Sequence, residues 1–301
     1  RVKLNELLSK HSTFKIGGPA RYYVEVVEES KIVELLNFLS GEGIKYFVLG
    51  GGSNVLFPEE YDGVVIKMKN EKFIIKNNEI IADAGVALAL VVNLAVENGL
   101  TGLEWAVGIP GTVGGAARGN AGAYGSDTSK SLEKATIWQD GEVIELSKAD
   151  CRFSYRDSLF KQQGGNSVIL RVYFKLEKGD KVEIMKTMQE YGLQRGCRIT
   201  SNPTCGCSFK NVEIKDYAGD RSLLDPKFIE RGKIPAGWLI EQAGCANVAG
   251  HHTRLSNLHN NILENTGGAT QGDILKLVAE IKERVYNKFK VELEEEMEIV
   301  Y

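Results

Sequence analysis

Between Gly102 and Gly125 the chain reads GLEWAVGIPGTVGGAARGNAGAYG, eight glycines with almost no charge among them. Side chains this small cannot build a core, and the order is too irregular for a flexible linker, so the stretch must act through its backbone. Glycine allows positive φ and close approach to another molecule, which lets successive N–H groups point at an anion such as a pyrophosphate. A second stretch of this kind, Gly50-Gly51-Gly52-Ser53-Asn54, follows the apolar run Tyr46-Phe47-Val48-Leu49. A strand feeding a glycine turn is a usual setting for phosphate-binding loops. No GxGxxG opens a helix and GxxxxGK[ST] is absent, so neither a Rossmann nor a P-loop site is indicated. Taken singly, each stretch reads equally well as a tight structural loop.

At 301 residues, with 43% hydrophobic and 26% charged residues, the chain has the length for two or three domains and the composition of an ordinary globular protein. Its 37 Lys and Arg against 40 Asp and Glu give a net charge of −3, which offers nucleic acid or an anionic membrane no general attraction. The longest apolar run, Val86 to Val92, stops at Asn93, far short of the roughly 20 residues that span a bilayer. No basic segment followed by an apolar one opens the chain, and a cytoplasmic protein with small-molecule partners is expected. The five cysteines are odd in number, and Cys205-Gly206-Cys207 suits neither a disulfide nor a CxxC knuckle, so reduced thiols are expected.

Taken in order, residues 1–10 form a short amphipathic stub, and Thr13 to Ala20 an extended entry into a turn. Ser30 is placed to cap a helix with Ile32, Val33, Leu35, Leu36 and Leu39 on one face and Gly41 as its stop. A strand to Leu49 then completes a β-α-β unit. Strands are expected at Val64–Met68 and Phe73–Ile75, then a helix over Leu88–Asn98 with Gly99 just past its end. Ala135–Gln139, Val143–Leu146 and Val168–Leu176 are β-rich, with Asp140-Gly141 as a two-residue hairpin turn. The polar break Lys178–Lys181 marks a candidate boundary. Thr270, with Asp273 three residues on, predicts the cap of a helix carrying Ile274, Leu277, Val278, Ile281 and Val285, followed by a final strand over Val291–Tyr301.

Six segments occur together in a telling order: GGGSNVLF at 50–57, GIPGTVGGAARGNAGAYG at 108–125, FSYRDSLFK at 153–161, CGCSFKN at 205–211, AGWLIEQAG at 236–244 and LEEE at 293–296. From about Ser12 onward the chain resembles the UDP-N-acetylenolpyruvoylglucosamine reductases, flavoenzymes of peptidoglycan precursor synthesis. The 51 positions between Arg156 and Cys207 resemble the branch of that family without an inserted substrate-covering loop. The resemblance implies an α+β protein with a FAD-binding fold of the vanillyl-alcohol-oxidase type in two subdomains, 1–70 and 71–179, and a C-terminal α/β substrate domain, 180–301. It also implies FAD as cofactor, NADPH as reductant and a sugar-nucleotide substrate whose enolpyruvyl group is reduced. Cofactor contacts are expected from Gly50, Gly51, Gly52, Ser53, Asn54, Ile109, Gly111, Thr112, Gly114, Gly115, Asn120, Gly122 and Ala123. A Cβ at Gly114 or Gly115 is expected to block main-chain approach and to forbid a positive φ.

On spacing alone, Arg156 is a surface arginine paired with Asp157. The resemblance instead turns it toward the enolpyruvyl carboxylate, which a planar guanidinium grips with two parallel bonds. Cys207 taken alone is a small buried thiol; in the family its position is the proton donor, most often serine and sometimes cysteine. A thiol with an ordinary pKa of about 8.5 is mostly protonated at pH 7 and serves as an acid untuned. A zinc cluster of Cys197, Cys205 and Cys207 with His251, His252 or His259 is the alternative, although paired knuckles are missing and no metal is expected.

Period-two alternation sets Leu293, Met297, Ile299 and Tyr301 against Glu292, Glu294, Glu296 and Glu298, with Glu295 as the misfit. The family motif L-E-x-E puts the catalytic glutamate at Glu296, and a bulge would exchange it with Glu295. Asn211 and His259 match positions that contact substrate. Departures from the family pattern stand at Val212, where proline is frequent, and at Cys245-Ala246-Asn247.

Overall fold

The computed structural model describes residues 2–198 and 200–301. Contacts group the chain into two compact units: residues 1–6, 20–51 and 62–197 in the first, and 7–19, 52–61 and 198–301 in the second. The helix Lys181–Gly196, beyond the boundary expected at 179/180, is counted with the first unit, as are both segments flanking 70/71.

The first unit is built on two sheets. In the four-stranded one, Val2–Leu7, Pro19–Val26, Tyr61–Met68 and Tyr46–Leu49 lie in that order, with Tyr46–Leu49 and Tyr61–Met68 parallel. The helix Glu29–Gly41 buries Ile32, Leu36 and Leu39, as the spacing predicts. Its cap differs: Glu28 holds the N-cap position without a side-chain bond, and Ser30 lies inside the first turn. Gly41 also lies within the helix, and the chain turns at Gly43, whose φ is +63°. The cap falls to Glu28 because Glu28 O already accepts from Lys31 and Ile32 N–H at 3.0 Å, which places Ser30 one residue too late.

The second sheet orders Glu142–Ser147, Leu132–Gln139, Ser167–Lys175, Glu79–Asp83 and Phe73–Lys76, all antiparallel. Gln139 pairs with Glu142 across Asp140 and Gly141, whose φ values of +47° and +95° make the expected hairpin turn. Leu88–Glu97 is the expected helix, turning out at Gly99 with φ +63°. Arg171 joins layers by bonding Asp83 at 3.1 Å and Glu29 at 2.7 Å.

The second unit packs the helices Ala236–Gln242 and Gln271–Phe289 around a core that includes Phe209, Leu239, Ile274, Leu277, Ile281 and Leu293. Thr270 and Asp273 form the expected capping box. The final strand is shorter than the alternation predicts: Glu298–Ile299 pairs in parallel with Val55–Leu56, and before it Glu295 forms an isolated antiparallel bridge with Phe209. Beyond Met297 the buried residue is Val300 at 6% exposure while Tyr301 is 74% exposed, so the expected apolar face slips by one position there.

Candidate functional site

In the first unit the two glycine stretches abut. A Cβ on Gly50 would stand 2.5 Å from Thr112 Oγ1 and one on Gly51 2.6 Å from Gly111 Cα, so glycine is required for the backbones to pass this closely. Among the described residues, the N–H groups of Gly51, Gly111 and Thr112 have no protein acceptor. Three unspent donors on two touching loops are what a pyrophosphate needs, and the residues present fit the phosphate bridge of FAD. The Lys67 ammonium donates to Gly50 O, and its pKa is lowered by burial and by nearby Lys69.

Gly114 and Gly115 differ from expectation. Both lie in the helix Val113–Arg118 and neither has a positive φ. Their N–H groups are engaged, Gly114 with Ala84 O at 2.9 Å and Gly115 with Thr112 Oγ1 at 3.3 Å. At Gly114 a Cβ would meet Ala84 Cβ at 2.7 Å, whereas at Gly115 the nearest atom is Thr112 Oγ1 at 3.5 Å. Ile109 N–H closes a turn onto Ala106 O at 3.0 Å.

Three bonds latch the rest of the long glycine stretch to the YRDS loop. Arg156 Nη2 donates to Gly122 O at 2.6 Å, Asn120 Nδ2 to Ser154 O at 2.8 Å, and Ser158 Oγ to Arg118 O at 2.6 Å. Gly122 and Ala123 pair with Asp127 and Ser126 in a two-residue hairpin. Tyr155 and Arg156 form the tip of a tight turn between Ser154 and Asp157, with Arg156 in the left-handed region at φ +56°. The Asp157 carboxylate accepts from Ser158 N–H at 2.9 Å and from Gln162 Nε2 at 2.8 Å.

In the second unit, Cys207 to Lys210 runs as an extended segment between two neighbours. On one side Cys207 is bridged to Ile262, and Asn261 clamps Phe209 twice, accepting from its N–H at 3.0 Å and donating to its carbonyl at 2.8 Å. On the other side Glu296 N–H donates to Ser208 O and Lys210 N–H to Glu294 O, both at 2.8 Å. Cys207 and Glu296 therefore stand on adjoining segments. Glu295 is held by Lys282 at 2.9 Å. Asn54 Nδ2 donates to Glu296 O at 3.1 Å. Gly52 has φ +70°, and a Cβ there would come within 1.9 Å of His11 O; half-buried Ser53 follows it.

Asn211 and His259 meet the start of the helix Ala236–Gln242: Asn211 Oδ1 accepts from Ala236 N–H at 3.0 Å, and a Cβ on Gly237 would lie 3.6 Å from His259 Cε1. His259 Nδ1 accepts from Asn261 N–H at 3.2 Å, so the neutral ring carries its proton on Nε2. Burial, then the charge of Arg198, lowers its pKa. Cys205 is a core residue with Sγ 3.7 Å from Met297 Sδ, and burial pushes its thiol up to about 12. Among the described residues no group of three or more His, Cys, Asp or Glu is placed to hold a metal ion.

A family profile described as "FAD binding domain" matches residues 20–147, and one described as "UDP-N-acetylenolpyruvoylglucosamine reductase, C-terminal domain" matches residues 198–300. The chain is 35% identical over 305 residues to a UDP-N-acetylenolpyruvoylglucosamine reductase of Caldanaerobacter subterraneus subsp. tengcongensis, covering 100% of this chain and 94% of the relative. The chain belongs to the UDP-N-acetylenolpyruvoylglucosamine reductase family. A second reductase of that name, from Carboxydothermus hydrogenoformans, is 36% identical over 98% of this chain and 93% of its own length. The crystal structure of the Thermus caldophilus reductase superposes with a TM-score of 0.80 at 29% identity, over 100% of this chain and 99% of that one. The α+β class and the FAD-binding fold expected from the motifs are borne out.

Reading by motif missed residues that hold this family's segments in place. Lys67 is the one charged residue in the buried run Val64-Val65-Ile66-Lys67-Met68, a signal visible in the sequence. Asn261 had a weaker signal, an amide between His259 and the apolar pair Ile262-Leu263. Nothing along the chain marked it as the clamp on Phe209, because that partner lies 52 positions away.

Proposed function

We propose that this protein is the flavoenzyme that reduces the enolpyruvyl group of UDP-N-acetylglucosamine enolpyruvate to give UDP-N-acetylmuramate, with NADPH as reductant. FAD, held at its pyrophosphate by the N–H groups of Gly51, Gly111 and Thr112, would supply the hydride-transfer chemistry that links NADPH to the vinyl carbon C3. The 35% identity along the whole chain carries this reading.

The first unit holds the flavin: the free N–H groups of Gly51, Gly111 and Thr112 support assigning the pyrophosphate to that edge. An enol ether is electron-rich and resists hydride unless its carboxylate draws charge away as an enolate-like species forms. Arg156 has that role, with its guanidinium partly anchored on Gly122 O. In the second unit Cys207 protonates C2, and Glu296 assists as an acid or by orienting a donor. The ion pair of Glu295 with Lys282 supports choosing Glu296 over its neighbour. Asn211 and His259 contact the substrate. The net charge of −3 and the absence, among described residues, of any helix long and apolar enough to cross a membrane support a cytoplasmic enzyme with small-molecule partners and neither nucleic acid nor membrane. The functional division is 1–70 and 71–179 for FAD and 180–301 for substrate.

The test is the visible spectrum of purified protein. Flavin absorbance should bleach with anaerobic NADPH and return on adding the enolpyruvyl sugar nucleotide. Bleaching without return would leave a flavin-binding protein of another activity.

A further inference from the structure

A buried carboxylate on the face of Cys207 holds an arginine that the family motifs do not mark. Thr253–Leu255 pairs with Leu263–Asn265, so Arg254 stands opposite Glu264 and Leu255 opposite Leu263. The two leucines enter the core, and alternation puts Arg254 and Glu264 on the other face. Ile262, two residues before Glu264, shares that face and is bridged to Cys207. Strand spacing then separates the Cα atoms of Cys207 and Arg254 by about 12 Å.

Glu264 is 1% exposed, a costly place for a carboxylate unless it is fully bonded. It accepts from Asn202 Nδ2 and from Arg254 Nε, each at 2.7 Å, with further bonds from the Thr200 and Ser256 hydroxyls. Arg254 bonds through Nε alone. Its side chain is 41% exposed, and its two terminal nitrogens have no partner among the described residues. A guanidinium fixed at its stem with a free fork at its tip is built to receive a planar or tetrahedral anion.

We propose that Arg254 binds the diphosphate of the nucleotide substrate, with Glu264 as its positioning residue. The inference rests on the sugar-nucleotide reading above. One pyranose ring separates the enolpyruvyl group from the diphosphate, a span that the ring and an arginine side chain together cover on this face. An ordinary structural ion pair would bury Glu264 equally well, but it would give UDP no dependence on Arg254.

The experiment titrates the FAD-loaded enzyme with UDP, beside steady-state kinetics and thermal unfolding, in wild type, Arg254→Gln, Arg254→Lys and Glu264→Gln. Loss of a charge-assisted forked contact should weaken UDP about 10- to 100-fold in Arg254→Gln, with KM rising by a similar factor and kcat changing less than about threefold. Arg254→Lys, which keeps an ion pair with Glu264, should fall between that variant and wild type. Glu264→Gln should weaken UDP although it touches no ligand. Unchanged UDP affinity in Arg254→Gln and Arg254→Lys, with or without a lowered melting temperature, would overturn the assignment and leave a structural pair. Failure of wild type itself to bind UDP or turn over the enolpyruvyl nucleotide would instead remove the reading on which it rests.

Discussion

Asn54 and Glu296, 242 positions apart, are joined by a hydrogen bond of 3.1 Å from the Asn54 side-chain amide to the Glu296 carbonyl. Glu298 N–H returns a bond to Asn54 O at 3.0 Å, so the end of the first glycine loop and the LEEE segment are stitched from both sides. Asn54→Ala should cost about 1 kcal/mol of stability and slow flavin reoxidation by the enolpyruvyl substrate, measured per bound flavin. If flavin occupancy fell while reoxidation per flavin stayed at the wild-type rate, Asn54 would serve the cofactor alone.

Arg156→Lys should lose far more turnover than its retained charge suggests. A lysine cannot both bond Gly122 O and grip a carboxylate with two parallel donors. Bleaching by NADPH should be nearly unchanged. Slow bleaching with normal substrate reduction would assign Arg156 to the nicotinamide instead.

Cys207→Ala should leave NADPH bleaching intact and cut reoxidation by about 10²–10⁴-fold, the usual worth of a positioned acid. Cys207→Ser should retain much of the rate. Cys205→Ala should cost only modest stability, since its thiol packs on Met297 and is held at a pKa of about 12. Thiol labelling of the native enzyme should follow burial, with exposed Cys197 first, half-buried Cys207 next, and Cys151, Cys205 and Cys245 only on unfolding. Stopped-flow rates and labelling order check the set.

Gly114→Val and Gly115→Ala should part company. Valine at 114 meets Ala84 at 2.7 Å and should destabilise the fold by about 1–3 kcal/mol, shedding flavin as a consequence. Alanine at 115 has its nearest neighbour at 3.5 Å, so the apoprotein should melt normally. Lowered flavin affinity in that variant would then report a contact made by Gly115 itself. Full occupancy in Gly115→Ala would remove Gly115 from the cofactor site.

Acid should unfold the protein partly through Glu264. Burial pushes its pKa up, but bonds from Thr200, Asn202, Ser256 and Arg254 outweigh that and bring it down to about 2 from an ordinary 4.5. A depressed folded pKa means stability fully present above about pH 4.5 and lost as pH falls toward 2, on the order of 3 kcal/mol in all. Urea unfolding between pH 2 and 6 should show this slope in wild type and a shallower one in Glu264→Gln. Equal slopes would place the acid sensitivity in other carboxylates.

Local chemistry made much of this protein legible from its sequence. The Thr270–Asp273 box, the Asp140-Gly141 turn and the turn at Gly99 each depend on a few adjacent residues, and all three stand where the spacing put them. The family, the FAD-binding fold and the glycine loops were likewise readable, because glycines that let backbones touch leave a dense, ordered signature. What only the tertiary structure decided depends on partners far along the chain. Lys282 forms an ion pair with Glu295, and alternation within LEEE cannot reveal that. The β-strand expected over Val291–Tyr301 breaks into a bridge at Glu295 and a two-residue strand at Glu298–Ile299, because its partners are Phe209 on one side and Val55 and Leu56 on the other. Gly114 is glycine for Ala84 and not for a positive φ, and Glu264 carries its charge in the interior because Asn202 and Arg254 arrive from elsewhere to bond it. Side-chain periodicity specifies which face is apolar, whereas the partner of a buried polar group is specified only when distant segments are folded against it.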